Sequence, residues 1–201
     1  MASQYTEVIV GERIMIASWL ALTGVALATA PTPIAITQQE HAVLQRGLPV
    51  IRDSGTGVTI GIVRINATPE TVLKEVMNLP PRIEEVGPIQ DLELVETSVD
   101  RTVAKWTVSM MGVKRSFHVV YTADRTGGSA HFKLDATRTN GIHHTEGSYR
   151  VHADEGATRL VYRNLTDPES KVPGWIRSAL TEGSMVDQLK GIKKRSEQAS
   201  R

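Results

Sequence analysis

Two histidines and a nearby carboxylate form the densest group of metal-ligating residue types in the chain: His143, His144 and Glu146. Side chains two positions apart share one face of a strand, so His144 and Glu146 would point the same way and His143 the opposite way. A zinc site would need a further ligand from a neighbouring strand. A metal site therefore remains an alternative, but the pattern favours a solvated hairpin end. We predict neither a metal nor another cofactor.

The sequence contains none of the common catalytic signatures. There is no cysteine, no G-x-S-x-G elbow, no His-Glu-x-x-His and no glycine-rich phosphate loop. The carboxylates of Asp135 and Glu146 are predicted to lie on the outer face of a sheet, which disfavours general acid–base chemistry. We therefore predict no catalytic residue. If the chain were an enzyme, the candidates would be Tyr121, Tyr149, Arg115 and, after a one-residue shift of register, His118.

The charge balance disfavours nucleic acid as a partner. Lysine and arginine number 23 and aspartate and glutamate 22, which gives a formal net charge of +1. Such a balance creates no field that attracts a polyanion. Basic residues do gather near the C-terminus, at Lys190, Lys193, Lys194, Arg195 and Arg201. They offer a transient contact to anionic lipid, or they form a solvated helix end.

An uncharged apolar run spans residues 14–30 and ends in Ala-Thr-Ala, with prolines at 31 and 33. This shape is typical of a secretory signal, although Glu7 and Glu12 outweigh Arg13 ahead of the run. The alternatives are an uncleaved membrane anchor and a buried N-terminal helix. We expect an exported protein, periplasmic or secreted, with anchoring by residues 14–30 as the alternative.

The rest of the chain predicts an α+β domain. A short helix is expected at 38–47, inside a linker covering 31–55. A strand at 58–65 is followed by a helix that Thr68 caps and Pro69 opens, and by a helical turn at 82–88. Alternating segments separated by turn residues then predict six more strands, at 92–98, 102–111, 113–122, 130–137, 145–153 and 158–165. A long helix begins at Pro173.

Only the last helix is long enough to cover the buried face of such a sheet. We therefore expect a curved antiparallel sheet of six to seven strands wrapped around it, with the domain spanning 56–201 and residues 1–30 forming the signal or anchor.

Three stretches resemble a known superfamily. The helix entry at 68–72 (TPETV), the strand pair 146–151 and 158–162, and the helix opening at 172–176 (VPGWI) are similar to those of START-like helix-grip proteins. The likeness is to the bacterial polyketide-cyclase/dehydrase and coenzyme Q-binding-like branch, and it covers roughly residues 56 to 198. It implies a cavity between sheet and helix that holds a lipid, sterol, quinone or aromatic polyketide.

The inner face of this predicted sheet supplies the candidate ligand contacts. Strand alternation places apolar side chains on one face, and helical spacing adds a stripe from the last helix. The predicted ligand-binding residues are Trp106, Val108, Met110, Phe117, Val119, Tyr121, Phe132, Leu134, Tyr149, Val151, Trp175, Ile176, Ala179 and Gly183. The predicted function is non-catalytic binding or transfer of an apolar small molecule. The alternative is a cyclase- or dehydratase-type enzyme using the same cavity. The oligomeric state is not indicated.

Overall fold

The computed structural model describes residues 34–54, 56–110, 112–167 and 174–201, and their side chains except those of 110 and 174–181. The apolar run at 14–30 and the side chains of Met110, Trp175, Ile176 and Ala179 therefore lie outside the described residues. In the described part, no helix is both long and apolar enough to cross a membrane.

Four helices and eight strands make up the described chain, and their order matches the predicted α+β arrangement. The elements are α1 (Gln38–Gln45), β1 (Val50–Asp53), β2 (Val58–Ile65), α2 (Pro69–Met77), α3 (Arg82–Glu85), β3 (Ile89–Thr97), β4 (Arg101–Met110), β5 (Val113–Asp124), β6 (Ser129–Leu134), β7 (His144–Asp154), β8 (Ala157–Asp167) and α4 (Gly174–Ala199).

All eight strands form one antiparallel sheet, in the order β1-β2-β8-β7-β6-β5-β4-β3. Consecutive hairpins account for the run from β3 to β8, as the turn signals predicted. The predicted six to seven strands are one short of the observed number because β1, within the predicted linker, is an edge strand of only four residues. Its sequence, Val-Ile-Arg-Asp, shows no alternation that would identify it.

The long C-terminal helix is confirmed, and its described half packs on the inner face of the sheet. α4 has 26 residues and contacts mainly β2, α2 and α3. Met185, Leu189 and Ile192 enter the main core. Gly61 of β2 permits this close approach, because a Cβ there would lie 2.6 Å from Leu189 Cδ1 and 2.7 Å from Met185 Sδ.

A largely shielded arginine joins α4 to the two helices that precede β3. Arg195 Nε donates to Glu75 Oε2 of α2 at 3.0 Å, and Arg195 Nη1 donates to Glu85 Oε1 of α3. Arg195 Nη2 also donates to the Glu75 carbonyl oxygen at 3.1 Å. Because these side chains are largely shielded from water, the contacts hold α2 and α3 against α4 on the inner side of the sheet.

The outer face of the sheet has a smaller apolar core of its own, which the sequence did not predict. Leu44 of α1 packs with Ile62 and Val161, and partly buried apolar residues at 34, 36, 50 and 60 surround them. Thr37 and Glu40 form a capping box at the start of α1. Glu40 also accepts hydrogen bonds from Arg52 of β1 at 2.6 and 2.5 Å. Residues 34–53 thus pack onto the sheet, whereas the sequence predicted a linker with a short helix here.

Candidate functional site

The inner face of the sheet carries most of the predicted ligand contacts whose side chains are described. Its centre is buried in the main core, and its margin is half-buried. The buried set is Trp106, Val119, Tyr121, Phe132 and Tyr149, and the half-buried set is Val108, Phe117, Leu134 and Val151.

Gly183 is the exception among the predicted contacts. It is exposed, with nothing within 4 Å of the place a Cβ would take. The buried stripe of α4 passes through Met185, Leu189 and Ile192 instead. The predicted stripe also ran through Leu189 and Ile192, but its three- and four-residue spacing placed Gly183 on this face, where the structure places Met185.

An arginine packs against the tyrosines of this inner face and is the largest fully buried side chain among the described residues. Arg82 begins α3 and is only 1% exposed. Its Nη2 donates to the carbonyl oxygen of Val76 at 2.6 Å. With the Gln188 amide turned so that its oxygen faces the guanidinium, Gln188 Oε1 accepts from Nη1 at 2.7 Å and from Nε at 3.2 Å.

Three tyrosines complete this group, which we call the Arg82 cluster: Arg82, Tyr121, Tyr149, Tyr162 and Gln188. In the same amide orientation, Gln188 Nε2 donates to the hydroxyls of Tyr149 and Tyr162 at 3.2 Å each. The rings of Tyr149 and Tyr162 stack with centroids 4.4 Å apart. The guanidinium carbon of Arg82 lies 5.7 Å from the Tyr121 ring centroid and 5.6 Å from that of Tyr149, within cation–π range of both.

Phe132 fills the space beside the tyrosines. Its ring centroid lies 5.8 Å from those of Tyr121 and Tyr149 and 6.0 Å from that of Tyr162. On the neighbouring strand, Gly147 pairs with Phe132, and a Cβ at Gly147 would lie 2.4 Å from Phe132 Cζ. The missing side chain at Gly147 therefore makes room for the phenyl ring.

The cluster is positively charged and rich in hydrogen-bond donors. Burial is the largest cause that raises the pKa of Tyr121 and of Tyr162 above the ordinary value of 10.0, although the charge of Arg82 partly opposes it. Both hydroxyls are therefore protonated at neutral pH. Arginine keeps its proton at any pH at which a protein stays folded, so burial does not neutralise Arg82. The guanidinium is a permanent cation here.

No carboxylate in the described ranges forms an ion pair with Arg82. The shielded carboxylates of Glu75 and Glu85 bind Arg195 instead. A buried donor near the cluster lacks an acceptor. The indole Nε1 of Trp106, a residue 4% exposed, has no hydrogen-bond partner. It lies close to the Tyr121 hydroxyl, whose pKa it helps to lower, without reaching hydrogen-bond geometry.

Sequence reasoning found two of the three tyrosines of this cluster and missed Tyr162, Arg82 and Gln188. Tyr121 and Tyr149 follow from strand alternation. Arg82 was treated as one residue of a helical turn, and Gln188 as one position on an amphipathic helix. The available signal for Gln188 was its place three residues after Met185 and beside Leu189, inside the buried stripe.

The other residues considered for chemistry lie away from this cluster. His144 Nε2 and Glu146 Oε2 are 3.6 Å apart on largely exposed side chains, as expected of a hairpin end. The described residues include no group of three side chains able to hold a metal. His118 pairs with Lys105 on the outer face and is half-buried. Asp135 accepts from Thr137 and Arg138 in the loop after β6.

The outer face also carries an open depression of about 530 Å³. Its lining comes from β2 and β5 to β8 and includes Val120, His131, Lys133, Glu146 and Arg163. This depression differs from the cavity expected from the sequence, because most of its lining residues, such as Val120, His131 and Arg163, alternate with those of the inner face.

Solved structures share this arrangement of a sheet and a C-terminal helix. A protein from Thermus thermophilus superposes with a TM-score of 0.63 at 21% identity, over 72% of this chain and 99% of its own. The Zhui aromatase/cyclase from a Streptomyces species superposes with a TM-score of 0.59 at 16% identity, over 76% of this chain and 97% of its own. A STAR-related lipid transfer protein fragment from Xanthomonas axonopodis superposes with a TM-score of 0.58 at 14% identity, over 75% of this chain and 99% of its own. The chain has the START-like helix-grip fold.

The START-like likeness is one of structure. No protein-family model and no curated protein matches the sequence. Because identities of 14–21% establish only the fold, function must be argued from the residues themselves.

Proposed function

We propose that this START-like chain binds an apolar small molecule between the inner face of its sheet and α4, and transfers it without chemical change. The observation that carries the proposal is the graded exposure of the inner face. Half-buried Val108, Phe117 and Leu134 lead to buried Trp106 and Tyr121 on the same strands or their neighbours. Apolar side chains open to solvent next to a buried aromatic core are typical of a ligand-contacting wall.

The size of this wall is compatible with useful affinity. Burying about 300 Å² of apolar ligand surface is worth roughly 7 kcal/mol at about 25 cal/mol per Å². Part of this gain is lost to association entropy and to the ordering of side chains. The full 7 kcal/mol would correspond to a dissociation constant of about 10 μM, so the remainder gives weaker binding, and a protein that must also release its ligand needs no tighter binding.

The second candidate function is a cyclase- or dehydratase-type reaction in the same space. Similar structures include both a lipid transfer protein and an aromatase/cyclase. The observation that favours it is the Arg82 cluster, since a guanidinium beside protonated hydroxyls can polarise a ligand carbonyl. Binding and catalysis would therefore use the same wall and differ in whether the ligand leaves unchanged.

Adjacent residues on β5 allow a matched test. Phe117 faces the inner side, whereas Ser116 is exposed and its hydroxyl lies 2.9 Å from that of Thr107. We expect Phe117→Glu to weaken binding of an uncharged fluorescent dye such as Nile red, and of dodecan-1-ol, by about tenfold or more, because a carboxylate would enter the apolar wall. Ser116→Glu adds the same charge on the opposite face and should leave both affinities within about twofold.

The measurement is fluorescence titration of delipidated full-length protein, with native mass spectrometry of the alcohol complex. Thermal unfolding of both variants shows that they are folded. Failure of the unsubstituted protein to bind either probe, or equal affinities for the two variants, would contradict the proposal. Extraction of the natural ligand after long incubation separates the two functions, since a binding protein returns it intact and a cyclase returns a product.

A further inference from the structure

The Arg82 cluster combines a cation with an unusual degree of burial. Arg82 is 1% exposed, and within the described residues its polar contacts are a backbone carbonyl, an amide oxygen and tyrosine groups. A guanidinium carries a full positive charge, and removing it from water without a counter-charge is expensive. Buried cations are normally paired with an anion.

A purely structural role explains this arginine incompletely. Its Nη2 caps the Val76 carbonyl near the C-terminal end of α2, a favourable place for a cation. One hydrogen bond to a carbonyl repays only a small part of the cost of burying a charge. The contacts to Gln188 and to the tyrosine rings reduce the deficit but supply no negative charge.

One buried donor near this point has no acceptor. The five N–H groups of the guanidinium are engaged by the Val76 carbonyl, by Gln188 and by hydrogen bonds with the hydroxyls of Tyr121 and Tyr149. The buried Nε1–H of Trp106 has no acceptor, and it lies near the Tyr121 hydroxyl that the Arg82 charge also influences. Trp106 and Tyr121 are on paired strands of the inner wall. A buried donor without an acceptor, beside a cation that no described carboxylate neutralises, describes a site for an anionic oxygen.

We propose that the Arg82 cluster binds the carboxylate of an apolar carboxylic acid, whose hydrocarbon part lies along the inner face towards Phe117. The inference rests on the proposed function, since it concerns the same ligand space. A carboxylate matches the site in charge, because one negative charge balances one guanidinium, and in shape, because its two oxygens fit the N–H fork. A phosphate monoester carries more negative charge than one arginine balances.

The distance from the cluster to the margin of the wall sets the length of the apolar part. Phe117 and Tyr121 lie four residues apart on the same face of β5, which corresponds to about 13 Å along a strand. A medium-length acyl chain spans this distance, so dodecanoic acid is a suitable probe. Dodecan-1-ol and dodecyl phosphate share its hydrocarbon and differ only in the head group.

The experiment is calorimetric titration of delipidated full-length protein with these three compounds at a pH of about 8, where a carboxylic acid is ionised. We expect the acid to bind about tenfold or more tightly than the alcohol, since a charge-assisted contact replaces a neutral one. Arg82→Met should lower the affinity for the acid to that for the alcohol. Its affinity for the alcohol should stay within about twofold of that of the unsubstituted protein. Arg163→Met, on the outer depression, should change neither.

A second variant keeps the test decisive if Arg82→Met fails to fold. Gln188→Glu conserves shape and places a carboxylate where an oxygen already lies 2.7 Å from Arg82 Nη1. The internal carboxylate should pair with the guanidinium, abolish the preference for the acid and raise the unfolding temperature.

Several outcomes would overturn the inference. Equal binding of acid and alcohol by the unsubstituted protein would remove the carboxylate site while leaving apolar binding intact, whereas binding of neither compound would remove the proposed function itself. Tighter binding of dodecyl phosphate than of the acid would show a different head-group chemistry. Loss of acid binding in Arg163→Met but not in Gln188→Glu would place the site on the outer face.

Discussion

Replacing Gly147 by alanine should destabilise the fold severely, although it adds a single methyl group. The added Cβ would lie 2.1 Å from the carbonyl oxygen of Arg163 and 2.4 Å from Phe132 Cζ. The carbonyl belongs to β8, which pairs with both β2 and β7 and therefore cannot move away freely. The phenyl ring must shift instead.

The cost follows from what that shift disturbs. Overpacking a well-packed interior costs about 1–3 kcal/mol. Displacing the Phe132 ring also perturbs its contacts with three tyrosine rings, each aromatic pair being worth about 0.5–1.5 kcal/mol. We expect Gly147→Ala to lower the free energy of unfolding by about 3 kcal/mol and the melting temperature by about 6–12 °C.

Gly183→Ala is the matched control for this prediction. It makes the same chemical change on the exposed side of α4, where nothing lies within 4 Å of the new methyl group. An alanine there should stabilise the helix by about 0.5–1 kcal/mol. Urea unfolding followed by circular dichroism measures both variants. If Gly147→Ala lay within about 1 kcal/mol of the unsubstituted protein, the packing around Phe132 would not be as tight as described here.

Three further predictions concern charged and ionisable groups. Arg195→Met leaves two shielded carboxylates without their cation and should cost about 3 kcal/mol in urea unfolding. The hydrogen bond from Arg52 is the main cause that lowers the pKa of Glu40 from 4.5 to about 2. The ionised Glu40 carboxylate therefore stabilises the fold above a pH of about 4.5, and this contribution is lost as the pH falls towards about 2. The urea midpoint of Glu40→Gln should lie below that of the unsubstituted protein at neutral pH, and the difference should shrink as the pH falls through this range. Because burial raises the pKa of Tyr121 and Tyr162, near-ultraviolet titration should show two tyrosines ionising well above 10 or only on unfolding, and stability should fall as the pH rises past about 10.

Each of these has a result that would contradict it. Lys194 is exposed on α4, so Lys194→Met is the control for Arg195, and equal costs for the two would argue against the clamp on α2 and α3. A pH-independent deficit for Glu40→Gln would mean that its charge contributes little. Tyrosines that all ionise together near 10 in the folded protein would place every hydroxyl in contact with water.

The strand-by-strand architecture was predictable because its determinants are local. Alternation and turn residues define the strands from β2 to β8, and the cap at Thr68 defines the start of α2. β1 was not predictable, since its four residues become a strand only by pairing with β2. The outer core around Leu44 was missed for the same reason. Nothing within residues 34–48 indicates that they pack on Ile62 and Val161.

The candidate site divides in the same way. Which aromatic side chains face inwards follows from the two-residue period of each strand, so Trp106, Tyr121 and Tyr149 could be predicted. The burial of Arg82 depends on three elements distant in sequence: β5, β7 and α4. An arginine after two prolines resembles many exposed arginines, and only tertiary packing distinguishes it.

The chemistry of the Arg82 cluster bears on the choice between a binding protein and a cyclase. Removing a proton from a ligand carbon requires a positioned base. In the described part of the cluster the charged group is a cation, the hydroxyls of Tyr121 and Tyr162 are held protonated by burial, and Gln188 is neutral. Glu75 and Glu85, which could accept a proton, are bound to Arg195. Such a set can hold and polarise a ligand oxygen, but it does not supply the base.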